Sequence, residues 1–103
     1  MAIDRSNSQL TNITTSGSST VLITKGAFGD GAIREISVSN NSDNEARIIL
    51  DLYDGTTVYY ICKNVSMPAN SVLVFDNMKF DGSLYNLRIY NTGTSPDLTV
   101  IIK

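Results

Sequence analysis

The chain has 103 residues, 42% of them apolar and 17% charged, with a formal net charge of −2 and no histidine. Its length suits one domain with a modest core, and its acidic balance offers nothing to attract nucleic acid. The single cysteine, Cys62, excludes an internal disulfide and fits assembly in a reducing cytoplasm, and no apolar run approaches the ~20 residues of a membrane span.

Residues 4–20, DRSNSQLTNITTSGSST, hold only Leu10 and Ile13 as apolar positions. They read as a polar arm, residues 1–19, that either stays loose or docks as a strand. No secretory signal is expected in the mostly polar MAIDRSNSQL. From residue 20 to 103 the pattern is that of one β domain. TVLITK (20–25) is a β-branched run, GAFGDGA (26–32) a glycine-rich loop, and IREISVSN (33–40) an alternating strand that ends in an NSDN turn. EARIILDLY (45–53) alternates through Ala46, Ile48, Leu50 and Leu52, and Asp54-Gly55 signals a hairpin into TTVYYICKNV (56–65). The proline turn MPAN, the strand SVLVFD (71–76), a loop NMKFDGS (77–83), the strand LYNLRIYN (84–91), a turn TGTSPD and LTVIIK (98–103) complete the chain. Seven strands are expected, with an eighth in the arm. No segment keeps a 3.6-residue period long enough for a helix. Short strands with Gly, Pro and Asn turns predict an all-β antiparallel β-sandwich, jelly-roll or immunoglobulin-like.

The hairpin raises a particular question. A two-residue turn, or a four-residue loop over 54–57, puts Ile48, Leu50, Leu52, Tyr59 and Ile61 on one face. Arg47, Ile49, Asp51, Tyr53, Val58, Tyr60 and Cys62 then share the other. A three-residue loop with a bulge slips the second strand by one, and both faces still carry at least four apolar or aromatic groups. Two tyrosines with Ile and Val approach the ~300–600 Å² at which an exposed patch means something. Either loops of the same chain (26–32, 77–83 or the arm) cover the second face, or a neighbouring protein does. Ile49, Tyr53, Val58 and Tyr60, with Leu10 and Ile13 of the arm, are therefore the candidate interface residues.

Chemistry is hard to find. Without histidine the chain lacks the usual general base and the commonest metal ligand, and one cysteine cannot build a zinc site. There is no G-x-S-x-G elbow, and GAFGDG lacks the order of a phosphate loop. Most Asp residues sit beside Gly or Asn, which is turn chemistry. Asp76, Asn77 and Asp81 could offer oxygen to calcium across one loop, but their spacing is not that of an EF-hand. Trp, the usual sugar platform, is absent, although Tyr53, Tyr60 and Tyr90 could substitute. No catalytic residue, no metal site and no cofactor are expected.

The run VSNNSDNEARIILDLYDGTTVYYICKNVSMPANSVLVFD (38–76), followed by LTVIIK, resembles small β-sandwich virion proteins of tailed bacteriophages. Capsid decoration (cement) proteins and small head–tail or tail-fibre components belong to that group. The resemblance implies a non-catalytic structural protein of the virion, assembled in the host bacterial cytoplasm. It would bind the major capsid protein and stabilise the head, often as a symmetric oligomer, trimers among them. A head–tail connector, a tail or fibre component, and a carbohydrate-binding sandwich are the alternatives. Neither membrane nor nucleic acid is an expected partner.

Overall fold

The computed structural model describes residues 9–26, 30–81 and 83–103, with the backbone alone for 30–33 and 77–81. Eight strands follow in order: β1 (Gln9–Ile13), β2 (Ser18–Ile23), β3 (Asp30–Asn40), β4 (Ala46–Tyr53), β5 (Val58–Met67), β6 (Val72–Asp81), β7 (Asn86–Gly93) and β8 (Leu98–Ile102). Among the described residues there is no helix.

The pairing is a mirror about residues 54–57. Strand β4 pairs with β5, β3 with β6, β2 with β7 and β1 with β8, all antiparallel. The chain is thus one long hairpin folded over on itself, with Asp54-Gly55 at its tip. Two further pairings, β3 with β8 and β4 with β7, complete two sheets of four. Their strand orders are β1-β8-β3-β6 (sheet A) and β2-β7-β4-β5 (sheet B). This eight-stranded double-sheet arrangement is a jelly roll, and it removes the seven-stranded immunoglobulin-like alternative.

Alternation decides what lies between the sheets. In β8, Leu98, Val100 and Ile102 point inward and are buried, while Thr99 and Ile101 point outward. In β7, Leu87, Ile89 and Asn91 take the inner positions. Ile36, Val38, Ile48, Leu50, Leu87, Ile89 and Leu98 have no exposed surface, and each contributes roughly 1.5–3 kcal/mol of transfer free energy by burial. Leu73, Phe75, Val65, Ile61 and Cys62 pack against this core from its margins.

Two polar features lock the layers together. The Asn40 amide is buried at the end of β3 and donates to the carbonyls of Asn44 (2.9 Å), Met67 (3.1 Å) and Pro68 (3.1 Å). Its Oδ1 accepts from the Ser42 N–H and hydroxyl. One side chain therefore ties the 41–45 turn to the β5–β6 turn, and every polar atom on it is used. Gly93 has φ 153° opposite Ala46, and a Cβ there would stand 2.9 Å from the Glu45 carbonyl oxygen. Only glycine permits that approach.

Several expected boundaries move. Residues 9–13 and 18–19 of the expected arm are β1 and the start of β2, and Ile13 is a core residue at 4% exposure. The Thr and Asn of β1 sit at the sandwich rim, which is why the segment reads as polar. Asn12, for instance, donates to Asp97 and to the Leu98 carbonyl. Residues 30–32 and 77–81, expected in loops, belong to β3 and β6. Glycine and Asn–Asp pairs suggested turns there, but nine cross-strand partners in one constant register override that preference. The oxygen ligands weighed for calcium therefore lie along a strand rather than around a loop.

Candidate interaction faces

The hairpin tip is a four-residue connection, since Tyr53 pairs with Val58. Asp54 builds it. Its Oδ1 accepts the N–H of Thr56 (2.8 Å) and of Thr57 (2.7 Å), and Gly55 supplies φ 104°. These two N–H groups, that of Thr57 first, hold the Asp54 carboxyl below its ordinary pKa. The Tyr53 hydroxyl donates back to the Gly55 carbonyl at 3.0 Å.

From this tip the register fixes the outer face of sheet B. Asp51 stands opposite Tyr60 on one side and Arg88 on the other, and Arg88 stands opposite Val21. One row thus crosses all four strands: Val21, Arg88, Asp51, Tyr60. The neighbouring rows hold Tyr53 with Val58, and Ile49 with Tyr90. Ile49, Tyr53, Val58 and Tyr60 come together here as expected from the hairpin. Cys62 leaves this face. Register shifts on both sides of Leu50 bring Cys62 opposite Leu50, where it packs against the core. Burial pushes its thiol pKa up, so it is a poor nucleophile.

The centre of the face is an ion pair. Arg88 Nε donates to Asp51 Oδ1 at 2.8 Å, with the Asp51 side chain 5% and the Arg88 side chain 20% exposed. The guanidinium also lies 4.2 Å from the Tyr53 ring centre, and Lys63 lies 4.8 Å from that of Tyr60. Two rings of the face, Tyr53 and Tyr60, thus each carry a cationic side chain of the same sheet. Of the segments expected to cover the face, residues 9–13, 30–32 and 77–81 are strands of sheet A and 18–19 belong to sheet B itself, while 1–8, 27–29 and 82 lie outside the described residues. Tyr60 (52%) and Val21 (46%) remain open at the two ends of the row.

Leu10 lies on the opposite side of the molecule. At 68% exposure it stands opposite Ile101, which stands opposite Ser37, which stands opposite Val74. That row and the adjacent Val72 form a second apolar strip on the outer face of sheet A. Ile13 is buried and leaves the candidate set. Sequence reasoning missed Val21, Arg88, Val72 and Val74, and weighed Tyr90 only as a sugar-stacking ring. The out-of-phase positions of NLRIY (86–90) carried a signal for Arg88 and Tyr90, but which sheet they joined depended on long-range pairing.

Among the described residues no cluster of three or more acidic or cysteine side chains could hold a metal, and no helix is long and apolar enough to cross a membrane. Comparison with family models, curated proteins and solved structures found no match.

Proposed function

We propose that this protein is a non-catalytic structural component of a tailed-phage virion, which binds the major capsid protein through the outer face of sheet B and stabilises the head. The observation that carries this reading is the row Val21, Arg88, Asp51, Tyr60, with half-buried Ile49, Tyr53 and Tyr90 around it. Tyrosine and arginine on a rigid sheet, their charges already paired, are the side chains that dominate protein–protein interfaces. The jelly roll holds them without loops that would have to be ordered on binding, which keeps the entropic cost of association low. The phage-like pattern over 38–76 supplies the identity of the partner. A sugar platform fits less well, because Arg88 takes one face of Tyr53 and Lys63 one face of Tyr60.

The test is co-sedimentation with capsids assembled from the major capsid protein of the same phage. Wild type should bind saturably. Tyr60→Ala, a substitution at an open position, should lose about 2 kcal/mol of affinity with little change in stability. Failure of the wild-type chain to sediment with those capsids, or unchanged binding by Tyr60→Ala, would overturn the proposal. Glycan binding that Tyr60→Ala abolishes would favour the carbohydrate alternative.

A further inference from the structure

Among the described residues the open edges of the two sheets are β1 and β6 in sheet A and β2 and β5 in sheet B. Exposed edges recruit foreign strands unless something blunts them. Three of the four are blunted. Strand β1 has only five residues, β2 shifts register between Val21 and Ile23, and β5 shifts twice and holds Asn64 at φ 55°. Strand β6 is neither short nor shifted, and its charged residues, Asp76, Lys79 and Asp81, follow the apolar stretch Val72–Phe75. Its ten residues stay in constant register with β3, from Ser39 opposite Val72 to Asp30 opposite Asp81.

The direction of its free hydrogen-bonding groups follows from one bond. The Asn40 N–H donates to the Ser71 carbonyl at 2.8 Å, and the register puts these residues opposite each other. Hydrogen-bonded and non-bonded pairs alternate in an antiparallel ladder. Leu73 and Phe75 therefore turn their N–H and C=O toward β3, and Val72, Val74 and Asp76 turn theirs to the open edge. The side chains of Val72 (60% exposed) and Val74 (47%) stand on the outer face beside that edge.

We propose that β6 is where two copies of this chain join, antiparallel, about a two-fold axis at Val74, making one continuous eight-stranded sheet. The segment matches itself in that register. Each outward N–H and C=O of residues 72, 74 and 76 meets its complement in the second copy. Val74 of one copy meets Val74 of the other, and Leu73 meets Phe75, so the inner face of the sheet stays apolar across the junction. Asp76 meets Val72, which keeps the two carboxylates apart. A two-fold contact closes on itself and pairs residues 72–76 of both β6 edges at once, leaving 77–81 outside the junction. This inference stands apart from the capsid reading, since it uses the other sheet and needs no partner protein.

The experiment is the solution mass of the purified full chain by sedimentation equilibrium, together with amide hydrogen exchange. The mass should rise to that of two chains as concentration approaches about 100 µM, as a contact of one strand implies a modest affinity. In the dimer the Val72 and Val74 amides should exchange slowly. Val74→Pro removes an N–H that the monomer does not use, on an edge strand where proline is tolerated. It should weaken association at least ten-fold. Val74→Arg sets like charges face to face at the axis and should do the same without a proline. A wild-type chain that stays monomeric, a limiting mass of three chains, masses that climb without limit, or a dimer that survives both substitutions would each overturn the proposal. So would fast exchange of the Val74 amide in the dimer.

Discussion

The Asp51–Arg88 pair yields an asymmetric prediction. Its two members are buried to different degrees, 5% and 20% exposed at the side chain. Replacing Arg88 by Met leaves the Asp51 carboxylate, only 5% exposed, without its partner in the middle of the sheet face, and breaking a buried pair this way costs about 3–5 kcal/mol. Replacing Asp51 by Ala strands the guanidinium instead. Arg88 keeps its place over Tyr53 and can extend its head to solvent, so that cost is nearer about 1–2 kcal/mol. At the middle of these ranges the difference is about 2.5 kcal/mol, above the ~1.4 kcal/mol that makes a ten-fold change in an equilibrium constant. Substituting both, as Asp51→Leu with Arg88→Met, removes both desolvation penalties and should recover to within about 1 kcal/mol of wild type. Urea unfolding of the four proteins, with unchanged dependence on denaturant, measures all of these terms. Equal costs for the two single substitutions, or a double variant whose loss is the sum of the two, would refute this account of what holds the face together.

Gly93→Ala forces a Cβ to within 2.9 Å of the Glu45 carbonyl at φ 153°, and should destabilise by about 2–4 kcal/mol in the same assay. Asn40→Leu leaves the carbonyls of Met67 and Pro68 without the donor that serves them, and should cost about 2–4 kcal/mol in chemical unfolding. Asp54 has a folded pKa below its unfolded value. Its contribution is therefore present above the ordinary carboxylate range and lost as pH falls through the folded value. The stability gap between wild type and Asp54→Asn should shrink as urea titrations are moved from neutral pH toward pH ~2. Deleting residues 1–13 removes β1 and the buried Ile13, so the truncated chain should lose its cooperative unfolding transition by near-ultraviolet circular dichroism.

Local pattern made the sandwich legible because strand alternation is a local property. Leu98, Val100 and Ile102 declare their shared face within five residues. The Asp54-Gly55 turn, with Tyr53 and Val58 flanking it, placed four of the candidate interface residues correctly on one face. The failures come where a non-local partner outweighs local composition. The eighth strand expected in the arm is present as Gln9–Ile13, but its polar composition gave no sign that it pairs with β8 and buries Ile13, with Gln9 spending its amide on the Leu22 carbonyl. Cys62 changes sides because β5 shifts register at Leu50, and no residue in VYYICK marks such a shift. Arg88 is the larger omission. Its spacing gives an outward position on β7, but its meeting with Asp51, 37 residues away in sequence, exists only because β4 and β7 are neighbours in the rolled hairpin.

The rolled hairpin also relates the two proposed surfaces. Strands β5 and β6 are joined by the short turn after Met67 and form edges of different sheets, so pairing β6 to β6 leaves the outer face of sheet B free. The proposed axis runs perpendicular to the sheets, because only that orientation keeps Leu73 and Phe75 on a common inner face. Both copies then present Tyr60 and Val21 on the same side of the dimer. Two modest patches held side by side engage a repetitive surface as a unit, and the second contact forms at the high effective concentration set by the first. A capsid lattice is such a surface. If both proposals hold, Val74→Pro should weaken capsid binding through lost avidity while leaving the affinity of a single chain for an isolated capsid subunit unchanged. A loss of binding to the isolated subunit as well would mean that β6 itself touches the capsid protein, and the division of labour between the two sheets would be wrong.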